Sequence, residues 1–183
     1  MSEESDELLM VTVQKGQLDM LNALMNRYQK RVYNYFLKCT MNAADSADLT
    51  QNTFIRVMKY RKSYKAGSSF ETWLFQIARN QVKDHFRKIK VHHDRFNPIE
   101  VIPEKEDEKD ELQYEREQTL MQAMKRLPED KRELLVLSKF QGLKYEQIAE
   151  LRDTSVSAIK VQVHRTIKQL KELYFEIENN LNG

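Results

Sequence analysis

Glycine and proline are scarce in this sequence of 183 residues, which has four Gly and three Pro. An average chain of this length carries about twenty of the two together. A β-sandwich or barrel needs a turn signal about every ten residues, and collagen-like or low-complexity chains need still more Gly and Pro. The composition therefore predicts an all-α fold.

Cysteine is almost absent, because Cys39 is the one cysteine of the sequence. No intrachain disulfide is possible, which fits a reducing compartment. Cys39 closes a stripe of apolar residues at helical spacing. We therefore expect it to be a small buried hydrophobic residue and not a reactive thiol.

Long apolar runs are missing too, since no stretch approaches the roughly 20 apolar residues of a membrane span. The N-terminal segment MSEESDELLM is acidic, whereas a signal peptide begins with basic residues. We expect a cytoplasmic protein that does not insert into membranes.

The sequence contains none of the usual signatures of a metal, cofactor or catalytic site. The four glycines are isolated, so neither GxxxxGK[ST] nor GxGxxG can form a phosphate-binding loop. There is no cysteine pair and no HExxH, so zinc binding is not expected. We predict no cofactor, no metal and no enzymatic activity. The sequence has four histidines, His85, His92, His93 and His164. The sequence indicates no role for His92 and His93.

The net charge of +2 conceals a segregation of charge along the chain. Residues 1–93 carry 15 basic and 9 acidic side chains, residues 94–118 carry 4 and 10, and residues 119–183 carry 11 and 9. The acidic segment also holds Pro98 and Pro103 and few large apolar residues. We interpret it as a flexible linker, disordered or at most a solvated helix toward its end, between two small helical domains at residues 1–93 and 119–183.

The N-terminal domain contains three predicted helices. Apolar residues recur at steps of three and four from residue 17 to residue 40, which predicts one long helix. A second helix is expected to begin near Asp45 or Ser46, either of which can cap it. A third is expected from Phe70, because Ser68 followed by Glu71 has the spacing of a capping box.

The third predicted helix carries a row of basic residues beside aromatic ones. Arg79, Lys83 and Arg87 step by four along one face, and Trp73 and Phe70 lie close in sequence. A basic groove with aromatic platforms is typical of proteins that bind unpaired bases. A solvated helix face would show the same row, and composition alone leaves open whether the rings are core or platform.

The strongest local pattern lies near the C-terminus, in YEQIAELRDTSVSAIKVQVHRTIKQL from Tyr145. A short helix, a turn at residues 152–154 and a second helix capped by Ser155 have helix-turn-helix spacing. The second helix has an apolar stripe and, opposite it, a polar and basic face. A helical hairpin that only packs would have the same pattern.

Three stretches together resemble extracytoplasmic-function (ECF) sigma factors of the sigma-70 family. ADLTQNTFIRVMKY, from Ala47, is similar to region 2.2, and SSFETWLFQIARNQVKDHFRK, from Ser68, is similar to regions 2.3 and 2.4. The segment from Tyr145 is similar to region 4.2. The resemblance implies a factor that binds the β′ and β subunits of core RNA polymerase, melts the minus-ten element and reads the minus-thirty-five element of promoter DNA.

The resemblance also implies roles for individual residues. Contacts to core polymerase fall on Asp48, Gln51, Asn52 and Phe54, although the family more often has an acidic residue at the position of Asn52. The minus-thirty-five contacts are Ser157, Lys160, Val161, His164 and Arg165. Trp73 could stack on DNA or belong to the core. The minus-ten contacts, several of which surround a base flipped out of the non-template strand, are Ser63, Tyr64, Lys65, Ser68, Ser69, Phe70, Trp73, Arg79, Asn80, Lys83 and Arg87.

The resemblance further implies an anti-sigma protein as a partner and places the acidic linker in the polymerase channel that leads toward RNA exit. Two departures from the family stand in region 4.2: the turn at residues 152–154 lacks glycine, and Gln162 replaces a common arginine. Two other functions remain open. One is a stand-alone helix-turn-helix regulator whose N-terminal helices sense a ligand or dimerise, and the other is a helical adaptor that binds no DNA.

Overall fold

The computed structural model describes residues 4–91 and 110–182, and within these ranges all regular secondary structure is helical. This confirms the predicted all-α fold. The chain divides into two compact units, Met1–Ile99 and Glu100–Gly183. Most of the predicted linker, with Pro98 and Pro103, lies outside the described residues, as do His92 and His93. Among the residues described, no helix is long and apolar enough to cross a membrane.

The first unit contains four α-helices in its described part. They are α1 (Asp6–Gln14), α2 (Leu21–Thr40), α3 (Ala43–Tyr60) and α4 (Phe70–Val91). Short 3-10 turns, Leu18–Met20 and Arg61–Ser63, follow α1 and α3. The sequence patterns predicted α2, α3 and α4, whereas α1 was not among the predicted helices.

The apolar stripe of α2 forms the centre of the first core, as its spacing predicts. Tyr35 and Phe36 are fully buried, and Tyr35 meets Phe75 of α4 edge to face with ring centroids 5.5 Å apart. Cys39 is 1% exposed, which confirms that it is a buried residue. Helices α3 and α4 pack against each other. Between them, the amide of Gln81 donates a buried hydrogen bond of 2.6 Å to the hydroxyl of Thr53.

Helix α4 begins at Phe70, as predicted, but the start of α3 and the capping residue of α4 differ from the predicted ones. Helix α3 begins at Ala43, because the side chain of Asn42 accepts a hydrogen bond of 2.9 Å from the backbone N–H of Asp45. At α4 the hydroxyl of Ser69, not Ser68, accepts from the Thr72 N–H at 3.2 Å. Glu71, the other half of the expected capping box, forms an ion pair of 2.6 Å with Arg31 of α2.

The part of the second unit that the structure describes, residues 110–182, also contains four α-helices, namely α5 (Glu111–Arg126), α6 (Glu129–Leu135), α7 (Tyr145–Arg152) and α8 (Val156–Asn182). The end of the predicted linker, residues 111–118, is therefore helical, and α5 packs against α8. Arg132 fastens α6 to the end of α5, since its guanidinium donates to the carbonyls of Met124, Lys125 and Leu127 at 3.0–3.1 Å. Met124 and Lys125 lie in the last turn of α5, where carbonyls have no N–H four residues further along the helix. The Met124 carbonyl also accepts from the Leu127 N–H at 3.1 Å.

The turn between α7 and α8 forms without glycine. Asp153 adopts the left-handed conformation (φ 50°, ψ 55°), which Asp tolerates better than most residues. The N–H groups of Asp153 and Thr154 bond to the carbonyls of Glu150 and Ala149 at 3.3 and 3.0 Å, as in a Schellman motif. The Ser155 hydroxyl accepts from the Ala158 N–H at 3.1 Å, which confirms Ser155 as the cap of α8.

The left-handed residue at the turn leads to a prediction about stability. Asp153→Val should destabilise the protein by about 1–2 kcal/mol, because a β-branched residue is strained at positive φ. Asp153→Asn, which tolerates this conformation, is the matched control and should stay within about 0.5 kcal/mol of the wild type. Urea unfolding followed by circular dichroism measures both, and equal stabilities of the two variants would contradict the assignment.

Candidate nucleic-acid interface

The first half of α8 exposes one polar and basic face. All five residues predicted to contact the minus-thirty-five element are exposed, including Val161 at 48%. On the opposite side Ile159, Val163 and Thr166 are at most 2% exposed and pack the helix onto its own unit. Helix α8 thus has the form of a recognition helix, with its N-terminal turns free to enter a major groove.

A partly buried ion pair fixes α7, the helix that precedes the recognition helix, against α6. Arg152 of α7 lies 3.3 Å from the Glu133 carboxylate and donates to the Asp130 carbonyl at 3.0 Å. The two ionised side chains are only 13% and 5% exposed. The sequence placed Arg152 in the turn at residues 152–154. In the structure it is the last residue of α7 and holds this helix against α6.

In the first unit, the loop of residues 61–69 (the 61–69 loop) connects α3 to α4 and presents polar and basic side chains. The side chains of Lys62, Ser63, Lys65, Ser68 and Ser69 are exposed. The Ser63 hydroxyl donates to the Tyr60 carbonyl at 2.8 Å, and Ser69 caps α4 as described above.

Two aromatic residues predicted as minus-ten contacts are buried instead of exposed. Tyr64 is 2% and Phe70 0% exposed, so neither ring is available to stack on a base in this conformation. The ring of Phe70 meets Tyr28 and Tyr64 at centroid distances of 5.4 and 6.4 Å. The sequence showed aromatic residues beside basic ones but not which rings fill the core.

The two tyrosines of this cluster are held as neutral hydrogen-bond donors. Burial, and next the hydrogen bond to Asp6, raise the pKa of Tyr28 far above its usual value. Burial also raises the pKa of Tyr64, with smaller contributions from the carboxylates of Glu7 and Asp6. The Tyr64 hydroxyl donates to the Ser68 carbonyl across the 61–69 loop. Tyr64 therefore stabilises the conformation of the loop from its buried side.

Trp73 lies at the edge of this aromatic cluster. Its ring centroid is 5.4 Å from that of Tyr64 and 6.2 Å from that of Phe70, and the residue is half-buried. Trp73 thus belongs to the cluster on one side and is partly accessible on the other.

The predicted basic row on α4 is shorter than expected. Arg79 is 8% exposed and is therefore largely buried in the first unit, like its neighbours Ala78 and Val82. Asn80, Lys83 and Arg87 are exposed. Arg87 forms an exposed ion pair of 2.9 Å with Asp84. Lys83 and Arg87 therefore form the exposed basic row.

Helix α3 presents a separate exposed face. Asp48, Gln51 and Asn52 are exposed, whereas Phe54 is 4% exposed and belongs to the core, so the structure does not support it as a direct contact. The same face contains an exposed apolar residue that the sequence did not single out, Ile55, at 48%. Helical spacing from Asn52 and Gln51 is the signal that would have found it.

Comparisons with known proteins identify the family to which the chain belongs. Family models of sigma-70 region 2 and sigma-70 region 4 match residues 24–91 and 117–170. RNA polymerase sigma factor CarQ of Myxococcus xanthus is 32% identical over 169 residues, which cover 89% of this chain and 94% of CarQ. The ECF RNA polymerase sigma-E factor of Salmonella typhimurium is 30% identical over 181 residues, covering 90% and 92%. The chain belongs to the ECF group of sigma-70 factors.

The fold agrees with that of solved sigma factors. The structure of sigma factor RpoE from Bartonella quintana, solved with the anti-sigma factor NepR, superimposes with a TM-score of 0.68 at 23% identity, over 83% of this chain and 94% of RpoE.

As a sigma factor, the protein binds core RNA polymerase and directs it to promoter DNA. Sigma factors are in general regulators without catalysis of their own. Helix α1 precedes both segments matched by the family models.

The ion pair behind the recognition helix can be tested by its effect on stability. Arg152→Met should destabilise the sigma factor by about 3 kcal/mol, because the largely buried Glu133 carboxylate loses its ion pair with Arg152. Arg165→Met, at an exposed position of α8, is the control and should change stability by less than about 0.5 kcal/mol. Urea unfolding compares the two, and an equally small effect at Arg152 would disprove this role.

Proposed function

We propose that the two units divide promoter recognition between them. Residues 1–93 bind core polymerase and open the minus-ten element, and residues 119–183 read the minus-thirty-five element. The acidic segment 94–118 joins them, although its end, residues 111–118, lies in α5, which packs against α8. The observation that carries this proposal is the capped α8, whose basic outer face and apolar inner face satisfy the requirements of a recognition helix.

At the minus-thirty-five element, the first turns of α8 enter the major groove. Ser157, Lys160 and Val161 lie nearest the helix N-terminus, where recognition helices contact base edges. His164 and Arg165 follow one turn later and reach bases or the phosphates beside them. Arg165 can form a bidentate pair with guanine, whereas Lys160 acts as a point charge.

At the minus-ten element, the 61–69 loop receives a base flipped out of the non-template strand. Because Tyr64 and Phe70 are buried, the base is contacted by the polar side chains and backbone of the loop and by the accessible side of Trp73. Lys83 and Arg87 attract the phosphates of the melted strand. Flipping costs a few kcal/mol of lost stacking and pairing, which these contacts offset.

Core polymerase binds the exposed face of α3, through Asp48, Gln51 and Asn52 with Ile55 at the centre. An exposed aliphatic side chain surrounded by polar ones has the composition of an interface core with its rim.

The sigma factor performs no catalysis and needs no cofactor in this scheme. It acts in the cytoplasm, where polymerase and promoter meet, and an anti-sigma protein controls its availability, as NepR binds the RpoE of Bartonella quintana.

In vitro transcription tests the proposed function. Purified protein added to sigma-free core polymerase should start RNA synthesis at discrete promoters of the source genome. A stand-alone helix-turn-helix regulator would instead bind an operator tightly without polymerase and would start no transcripts. Tight operator binding with no promoter-specific RNA would therefore favour that second function.

The α3 face yields a prediction about polymerase affinity. Ile55→Asp should weaken binding to core polymerase by about tenfold or more, the typical effect of removing a central interface residue. Leu18→Asp is a matched control, because Leu18 is similarly exposed (41% against 48%) but lies outside α3. Fluorescence titration of the labelled protein with core polymerase measures both, and equal affinities would exclude Ile55 from the interface.

The α8 face yields a prediction about salt dependence. In holoenzyme, Lys160→Ala should reduce the slope of log binding constant against log salt by about one, because one phosphate contact is lost. Arg165→Ala should cost about 1–3 kcal/mol at one base pair if the contact is bidentate. Lys125→Ala, an exposed lysine of α5, serves as the control for both. Unchanged slope and specificity in both α8 variants would contradict the role of this face.

A further inference from the structure

Helix α1 lies outside the segments matched by the sigma family models, yet it contacts both ends of the 61–69 loop. We propose that α1 is a brace for this loop and that Gln14 is a positioning residue for minus-ten recognition. The inference rests on the proposed function of the loop, because it concerns how the same site is held. It assigns a role to a segment that the sequence patterns did not single out.

Gln14 is the last residue of α1 and holds the first part of the loop. Its amide nitrogen donates to the carbonyl of Lys62 at 3.2 Å and to the carbonyl of Tyr64 at 2.8 Å. The two N–H groups of one primary amide can serve two acceptors at once. Gln14 therefore fixes the carbonyls of the two residues that flank Ser63, whose own hydroxyl donates to the Tyr60 carbonyl.

Glu7 holds the other end of the loop. Its carboxylate accepts a hydrogen bond of 3.3 Å from the backbone N–H of Phe70, the first residue of α4. A negative charge at a helix N-terminus is also favoured by the helix dipole. Because Glu7 and Gln14 lie seven positions apart on one helix, α1 spans the loop from its start to its end.

The brace is itself firmly anchored in the first unit. Leu9, Met10 and Val13 of α1 are at most 3% exposed. Asp6 contacts α2 twice, through an ion pair of 2.6 Å with Arg27 and a hydrogen bond of 2.5 Å from the Tyr28 hydroxyl. A helix held in this way can impose its geometry on a loop whose side chains mostly face solvent.

Holding the loop in advance matters for the capture of a flipped base. A binding site held within about 0.5 Å of its productive geometry binds without first ordering its backbone. If the Gln14 contacts are lost, the loop must be ordered by the DNA itself, and part of the binding energy is consumed. The selectivity for the captured base should fall, whereas the exposed faces of α3 and α8 should retain their own affinities.

The test uses holoenzyme assembled from the full chain and core polymerase. The probe is a fluorescent single-stranded oligonucleotide with the non-template minus-ten sequence of a promoter found by in vitro transcription, in a series with one abasic site at each position. Wild-type holoenzyme should lose roughly 5- to 100-fold in affinity at the position of the captured base. In Gln14→Leu this loss should be smaller by about fivefold, the effect of one or two hydrogen bonds.

Matched variants separate positioning from general destabilisation. Gln29→Leu, at an exposed site of α2, should behave like the wild type. Glu7→Leu should reproduce the effect of Gln14→Leu, and Glu7→Gln, which still accepts a hydrogen bond, should restore selectivity. Affinity for core polymerase and for a minus-thirty-five duplex should not change in any of these variants.

The outcomes distinguish the brace from the function on which it rests. If wild-type holoenzyme shows no position-dependent loss on the abasic series, the 61–69 loop does not capture a base and the proposed function of the loop fails. If the wild type discriminates and both Gln14→Leu and Glu7→Leu discriminate equally well, the brace is overturned. Should Gln14→Leu fail to fold, the comparison of Glu7→Leu with Glu7→Gln decides alone.

Discussion

The burial of Tyr64 and Phe70 is the constraint on which the N-terminal surface depends. These two rings, with Tyr28 of α2 and Trp73 of α4, form three edge-to-face pairs and one tilted pair at centroid distances of 5.4 to 6.4 Å. Each such pair contributes about 0.5–1.5 kcal/mol beyond the area it buries. Because the rings point inward, the 61–69 loop is anchored from below and exposes its serine and lysine side chains. The proposed base pocket is therefore polar, with only Trp73 to offer an aromatic surface.

Each unit resolves the same conflict between a core and a binding surface. A unit of fewer than about 100 residues has little interior, so each helix must give one face to the core and leave the other for partners. Helix α8 does so with Ile159 and Val163 inside and Lys160 and Arg165 outside. A buried charged group also joins two of the helices, since the guanidinium of Arg132 donates to the carbonyls of Met124 and Lys125 in the last turn of α5.

Local patterns in the sequence predicted α2, α3, α4, the helix-turn-helix and the exposed face of α8, because these depend mainly on spacing within one helix. The three patterns that resemble sigma regions were sufficient to predict the family, which the comparisons confirm. Burial across helices was less predictable. Arg79, Tyr64 and Phe70 lie next to exposed residues in the sequence, and only packing against other helices decides that they are buried. Helix α1 acts through contacts 48 to 63 residues away, which local periodicity does not reveal.

In the proposed mechanism, the 61–69 loop captures an unstacked base while the sigma factor holds polymerase on the promoter. Promoter DNA with 2-aminopurine at single minus-ten positions of the non-template strand reports this directly, since its fluorescence rises when the base leaves the stack. Holoenzyme should raise the fluorescence most at one position, and substitution of the exposed serines of the loop should reduce that rise. Promoter-bound holoenzyme that leaves every minus-ten position stacked would contradict the account.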